Sequence, residues 1–343
     1  MLDVVGKSYG LINIRTFYVQ DTDGFVQEFV RLLEQMPENG LIIDVCGNGG
    51  GNIWASERLL QTVSPIEIEP ERMQFVVTPG TLDLCRNHPA TSQIPLHLWR
   101  PSLEEAVETG SVYSRAFPLT DRESCNTIGQ RYYGPVALLV DGNCYSATDI
   151  FAAGFQDHGI GNVIGVSNNT GAGGANVWEH WLLTEALPVG WGLKSLPNQA
   201  GMRVAIRQCL RVGPNAGALL EDFGVAPNLV YKLRREDVME GDRELLAFVA
   251  KDLSAQAPRS IKITESGPSP GSPAKRQLFI KTQGLDRLDF CLDDRPQGSI
   301  NLRPDAAGKS EVKPSVDSGL KLKLLGFQTG KDRPAALYRG RSP

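Results

Sequence analysis

Ser146 and the glycines at positions 47, 49, 50 and 51 are the residues whose types and spacing suit one chemistry, acyl transfer through a serine hydroxyl. Ser146 follows the turn Asp141-Gly142-Asn143 and opens a helical pattern in which Ala147, Ile150, Phe151 and Gly154 share one face. A hydroxyl at that junction lies beside unpaired N–H groups and the positive end of the helix dipole. The same placement also suits a plain N-cap, the commonest role of serine at a helix start. A second stretch, residues 41–52, reads LIIDVCGNGGGN, a buried-strand run ending in a loop of four glycines. Such a loop can present bare N–H groups to a developing oxyanion, whereas a tight strand-to-helix connection needs fewer glycines.

Rigid elements must hold these loops. Residues 135–140 are an apolar, β-branched run of strand length, residues 162–166 a second, and residues 53–63 read as the helix after the glycine loop. Residues 11–17 alternate as a strand entering the core. Residues 25–36 form an amphipathic helix with Val26, Phe29, Val30 and Leu33 on one face and Asp21 or Asp23 as cap. Strands alternating with helices through short connections imply parallel pairing by right-handed crossovers, hence an α/β core. Further on, residues 74–78 and 178–183 read as strands, 195–210 as a hairpin around 198–201, and 243–253 as a closing helix.

These stretches resemble the S41 peptidases, the tail-specific or C-terminal-processing protease family. Asp44-Val45-Cys46-Gly47-Asn48-Gly49-Gly50-Gly51 resembles the family's D-x-R-x-N-x-G-G, with Cys46 in the arginine's place. Ser146-Ala147-Thr148-Asp149-Ile150-Phe151-Ala152 resembles S-A-S-[ED]-[IL]-[FL]-A, and Gln156-Asp157-His158-Gly159 resembles the Q-D-x-G that follows. Leu196-Pro197-Asn198, residues 203–210 and Glu221-Asp222-Phe223-Gly224-Val225-Ala226-Pro227 resemble the C-terminal hairpin and the I-E-x-x-G-[VI]-x-P-[DN] segment. As a set, in consistent order over residues 9–253, the motifs are specific. The resemblance implies a ClpP/crotonase-like core of stacked β-β-α units and a serine-type endopeptidase acting on peptide or unfolded protein substrates, with no cofactor and no metal. It further implies Ser146 as nucleophile, the N–H of Ala147 with that of Gly49 or Gly50 as oxyanion hole, and Glu221 as the residue orienting the base.

The family's common base is a lysine in an F-G-K-G loop. Thr170-Gly171-Ala172-Gly173-Gly174 stands at that place, and no lysine occurs between Lys7 and Lys194. The loop resembles the tricorn-core-like branch, whose base is a histidine upstream of the core, so the expectation is a base from an upstream region. Within the chain, His180 is the candidate base; His158 suits a helix C-terminal cap, and His88 and His97 belong to an insertion. The missing base and Cys46 sustain an alternative, a catalytically inactive S41-fold binding protein, as the family's retinoid-binding repeats imply. A third reading is a crotonase-fold enzyme acting on acyl thioesters, which would not need Ser146.

Composition bounds the partners. With 343 residues, 41% hydrophobic and 22% charged, the chain is ordinary for a globular protein, and a net charge of −4 gives no footprint for nucleic acid. No apolar stretch reaches membrane-spanning length, and the first residues lack the pattern of a signal peptide; location and oligomeric state stay open. Cys85 and Cys125 bracket residues 86–124, the body of an insertion at about residues 80–130, and would suit a disulfide in an exported protein. That cysteine pair resembles a fungal subgroup associated with peptide secondary-metabolite pathways, which implies a peptide precursor as substrate. The expected organisation is a core over residues 1–254, a Pro/Ser/Gly-rich linker over 255–276, and a small β module or partly disordered tail over 277–343.

Overall fold

A computed structural model describes residues 2–4, 6–87, 95–174, 177–269 and 272–341. The chain opens with β1 (Leu2–Val4), β2 (Lys7–Asn13), α1 (Thr22–Leu33), β3 (Leu41–Asp44) and α2 (Ile53–Val63). Next comes β4 (Arg72–Phe75), and the insertion region follows as α3 (Pro79–Asn87), α4 (Arg100–Thr109) and β5 (Phe117–Pro118). The chain then returns through β6 (Val136–Val140), α5 (Ala147–Asp157) and β7 (Asn162–Gly165). After it come β8 (Val177–Glu179), α6 (His180–Ala186), β9 (Arg203–Ala205), β10 (Arg207–Leu210), β11 (Leu229–Val230), α7 (Arg235–Glu240) and α8 (Arg243–Ser254).

Six of these strands form the central sheet in the order β1-β2-β3-β6-β7-β11; every neighbouring pair is parallel except β1–β2. Parallel strands are covered on both faces, which is why Val136–Val140 is buried at all five positions. Alternate side chains divide between two apolar layers. Ile42, Ala137, Leu139 and Ile164 meet Leu245, Val249 and Leu253 of α8. Ile43, Leu138, Val140 and Val163 share a larger core with Phe29 of α1, Leu60 of α2 and Phe151 of α5. Gly154 lets α2 approach α5: a Cβ there would sit 2.5 Å from Leu60 Cδ1. The sheet's carboxyl edge therefore carries the loops after β3, β6 and β7 side by side, the edge where open α/β sheets place ligands.

Some elements depart from the sequence reading. The strand expected over residues 11–17 ends at Asn13, because its partner β3 ends opposite it at Asp44; Phe17 instead bridges Gly51. The strand expected over 178–183 is only β8, and α6 replaces the rest, since Leu182, Leu183 and Ala186 reach the core at helical spacing. The turn around 198–201 forms, but its flanks separate: β9 pairs with β8 and β10 with β4. The insertion packs firmly. Trp99 is fully buried, donates from Nε1 to Met73 O at 2.7 Å, and meets Phe75 and Phe117 edge-on at 5.4 and 5.7 Å between centroids. Cys85 and Cys125 are both buried free thiols, so no disulfide closes this region.

The stretch expected as a linker is instead largely strand. β12 (Ser260–Ser269) and β13 (Ser272–Gln283) form an antiparallel hairpin whose register shifts fall around Pro268. Pro268 thus falls at the irregular end of that hairpin, where a missing N–H costs least. The strands β14 (Arg287–Leu292), β15 (Arg295–Asn301), β16 (Lys309–Val312), β17 (Ser315–Asp317), β18 (Lys321–Phe327) and β19 (Ala336–Arg341) complete two four-stranded sheets. They enclose their own apolar cluster, including Ile280, Leu288, Phe290 and Leu324. This β module joins the α/β core through Tyr133 Oη to Leu337 O (3.2 Å), Leu337 N to Gln130 Oε1 (2.9 Å) and Arg339 Nη2 to Glu67 (2.6 Å).

Candidate active site

The glycine loop is held in place from both sides. Asn48 is fully buried; its Nδ2 donates to Ile14 O at 3.0 Å and its Oδ1 accepts from Gly50 N at 2.9 Å. Gly47 N donates to Asp141 Oδ1 at 3.0 Å, tying this loop to the one after β6, and Asn52 closes it by capping α2 through Ala55 N. Cys46, in the position of the motif's arginine, donates its N–H to Asp44 Oδ1 at 3.0 Å, and burial pushes its thiol pKa far up, so it is no thiolate nucleophile. Gly51, at φ +141°, packs against the backbone of Phe17 and Tyr18, where a Cβ would lie 2.1 Å away.

Ser146 sits opposite this loop at φ 57°, ψ −122°, and its side chain makes no capping hydrogen bond to α5. The plain N-cap reading therefore fails. A non-glycine residue held at that backbone geometry carries strain of roughly 1–3 kcal/mol, the kind stored at functional turns. Three bonds hold the strained turn: Tyr145 N to Asn48 O (3.2 Å), Ser146 N to Gly173 O (3.1 Å) and Gly171 N to Cys144 O (2.8 Å). Ser146 is half-buried, and its Oγ has no hydrogen-bond partner among the described residues. The approach to the glycine loop is close. A Cβ on Gly50 would lie 2.7 Å from Ser146 Cβ, 3.0 Å from Ala147 N and 2.6 Å from Tyr145 O.

The three expected oxyanion donors differ. Gly50 N–H is occupied by Asn48, whereas the N–H groups of Gly49 and Ala147 have no hydrogen-bond partner among the described residues. The open pair is therefore Gly49 with Ala147. Gly50 instead permits the close approach, since any Cβ there would meet the Ser146 turn.

The third loop, after β7, is fixed by carboxylates and a hydroxyl. Thr170 and Val225 exchange bonds, Thr170 N to Val225 O at 3.1 Å and Val225 N to Thr170 Oγ1 at 2.8 Å. Asp149 is fully buried and accepts from Gly173 N at 3.0 Å through Oδ2; burial raises its pKa. Sequence reasoning gave Asp149 only as a motif letter. The available signal was an acidic residue on the otherwise apolar buried face of α5. Glu221 accepts from Cys209 N with both carboxylate oxygens at 2.7 Å, and burial, with the charges of Asp222 and Asp149 nearby, pushes its pKa up to about 7.

The remaining candidates fall elsewhere. His180 starts α6, not a strand, with its N–H on Met202 O (2.8 Å), and no hydrogen bond links it to Ser146. His158 caps the end of α5: Nδ1 bonds Gly154 O at 2.7 Å, Nε2 accepts from Glu69 N at 2.9 Å, and burial lowers its pKa, so the ring is neutral and structural. His97 is exposed on the insertion's 3-10 turn, and Lys194 is exposed as well; His88 lies outside the described residues. Asp157 forms a buried ion pair with Arg211 (2.6 Å) and bonds Asn215 Nδ2, a network at the far end of α5 that the sequence reading missed beyond Asp157 itself.

The sequence model of Peptidase family S41 matches residues 8–228. Among solved structures, mature CPAF is 19% identical with a TM-score of 0.52, covering 72% of this chain and 51% of that one. Mature CPAF complexed with lactacystin gives 17% identity and a TM-score of 0.52, covering 74% and 54%. The photosystem II D1 C-terminal processing protease is more distant, at 16% identity and a TM-score of 0.39, covering 69% and 46%. The chain thus spans about half the length of the CPAF chains it matches. Among the described residues, no helix is long and apolar enough to cross a membrane.

Proposed function

The chain belongs to peptidase family S41, and from that premise we propose that it is a serine-type endopeptidase cleaving peptide or unfolded protein substrates through a Ser146 acyl-enzyme. In this reading Ser146 Oγ attacks the scissile carbonyl carbon and the C=O π pair moves onto oxygen. The N–H groups of Gly49 and Ala147 receive that oxyanion, each worth about 2.7–4 kcal/mol of transition-state stabilisation. A general base takes the hydroxyl proton and returns it to the amine as the C–N bond breaks; water then releases the acyl group by the reverse sequence.

One observation carries the proposal: an uncapped serine, held in a strained turn, lies against a glycine loop that leaves the Gly49 amide open. Glu221 would hold and stabilise a protonated histidine base, a role its carboxylate fills only when ionised. In this proposal the base is a histidine from an upstream region, as the likeness of the loop at residues 170–174 to the tricorn-like branch implies. A ClpP/crotonase-like arrangement of the core, and a peptide precursor as substrate, are part of the same reading.

That unpartnered hydroxyl also favours a second reading, an S41-fold binding protein without turnover. A fluorophosphonate probe separates the two: labelling of the full protein that Ser146→Ala abolishes supports the peptidase, and absence of labelling supports the binding protein.

A further inference from the structure

A cleft of about 650 Å³ opens between the α/β core and the β module, a size typical of small-molecule sites. Five cations line it: Arg122 and Arg131 from the core, and Lys321, Lys323 and Arg339 from the module. Only Glu67, Glu123 and Asp294 face them, so the lining carries a net charge of +2, five cations less three carboxylates.

The surplus follows from strand register. Along β18, Leu322 and Leu324 point into the module's own core, which turns Lys321 and Lys323 outward to the cleft. Lys323 lies directly opposite Arg339 of β19, a like-charged cross-strand pair that would be repulsive by itself. Glu67 offsets it from the other wall, meeting Lys323 at 2.8 Å, Arg339 at 2.6 Å and Arg122 at 3.6 Å. That one carboxylate is fully engaged. The side chains of Arg131 and Lys321 have no ion-pair partner among the described residues.

We infer that this cleft is a binding site for a small multivalent anion, a ligand bearing two or more phosphoryl or carboxylate groups that bridges the core and the β module. Arginine forks suit the planar recognition of either group, and Lys321 supplies a mobile point charge. Bound anion would tie Arg131 of the core to Lys321 of the module, the two cations that the carboxylates leave unpaired.

The test is calorimetric titration of the full chain with pyrophosphate and, separately, with citrate, at matched ionic strength. Saturable binding of either, weakened at least tenfold in Arg131→Ala/Lys321→Ala while the thermal melt without anion stays unchanged, is the expected result. Tighter pyrophosphate binding identifies a phosphoryl ligand, and tighter citrate binding a carboxylate one. Binding of neither anion, or equal affinity in the double variant, overturns the inference.

Discussion

Replacing Gly50 by alanine tests whether the glycine loop is built for close approach to Ser146. The new Cβ would sit 2.6 Å from Tyr145 O, 2.7 Å from Ser146 Cβ and 3.0 Å from Ala147 N, at φ +100°. Two of those neighbours are backbone atoms of the strained turn, so the loop itself must retreat. Overpacking of this kind costs about 1–3 kcal/mol of stability, with about 1–3 kcal/mol more for the left-handed backbone. Retreat also misaligns the Gly49 donor, and losing one oxyanion donor slows acylation by roughly 10²–10³-fold. Gly49→Ala is the control. Its Cβ meets nothing within 4 Å, its φ lies outside the left-handed region, and its N–H survives. The assay is the second-order rate of fluorophosphonate labelling beside a thermal melt. Gly50→Ala should lose most labelling and melt lower, while Gly49→Ala keeps both within a few-fold. Equal labelling of Gly50→Ala and wild type, or equal losses in the two variants, would mean that the loop is not built for close approach to Ser146.

Glu57 is fully buried and its pKa is pushed up to about 7 from 4.5 by burial; its stabilisation is complete below about pH 4.5 and lost as pH rises to about 7, roughly 3 kcal/mol in all. The melting temperature should therefore fall between pH 4.5 and 8, and Glu57→Gln should make that fall shallower. Arg211→Met strands the fully buried Asp157 carboxylate, and a drop in stability of about 3–5 kcal/mol is expected from denaturant melts. Glu221 must be ionised for its proposed role, so labelling of the full protein should rise as pH passes about 7, and Glu221→Gln should lower and flatten that profile.

The central sheet was legible because β3, β6 and the helix α2 carry both the right period and the right length, and burial on both faces agrees with propensity there. The strain at Ser146 was not legible. Propensity assigns serine at a helix start to capping, whereas the turn is held at φ 57° by hydrogen bonds that the carbonyls of Asn48, Gly173 and Cys144 accept. The glycine excess signalled bare amides, but neither the close approach of Gly50 to Ser146 nor that Asn48 would take the Gly50 amide. At α6, tertiary packing of Leu182 and Leu183 outweighed a strand-like local pattern. Proline content misdirected the reading of residues 255–276, since the alternation of Ile261 and Ile263 with Lys262 and Thr264 was the stronger signal.

Everything proposed for the site depends on Ser146 being a nucleophile primed by its turn. Mass-spectrometric mapping of fluorophosphonate-treated full protein tests it most directly: a single adduct on the peptide containing Ser146, absent in Ser146→Ala, is the predicted result. An unmodified Ser146 peptide, or an adduct that persists in Ser146→Ala, would contradict it.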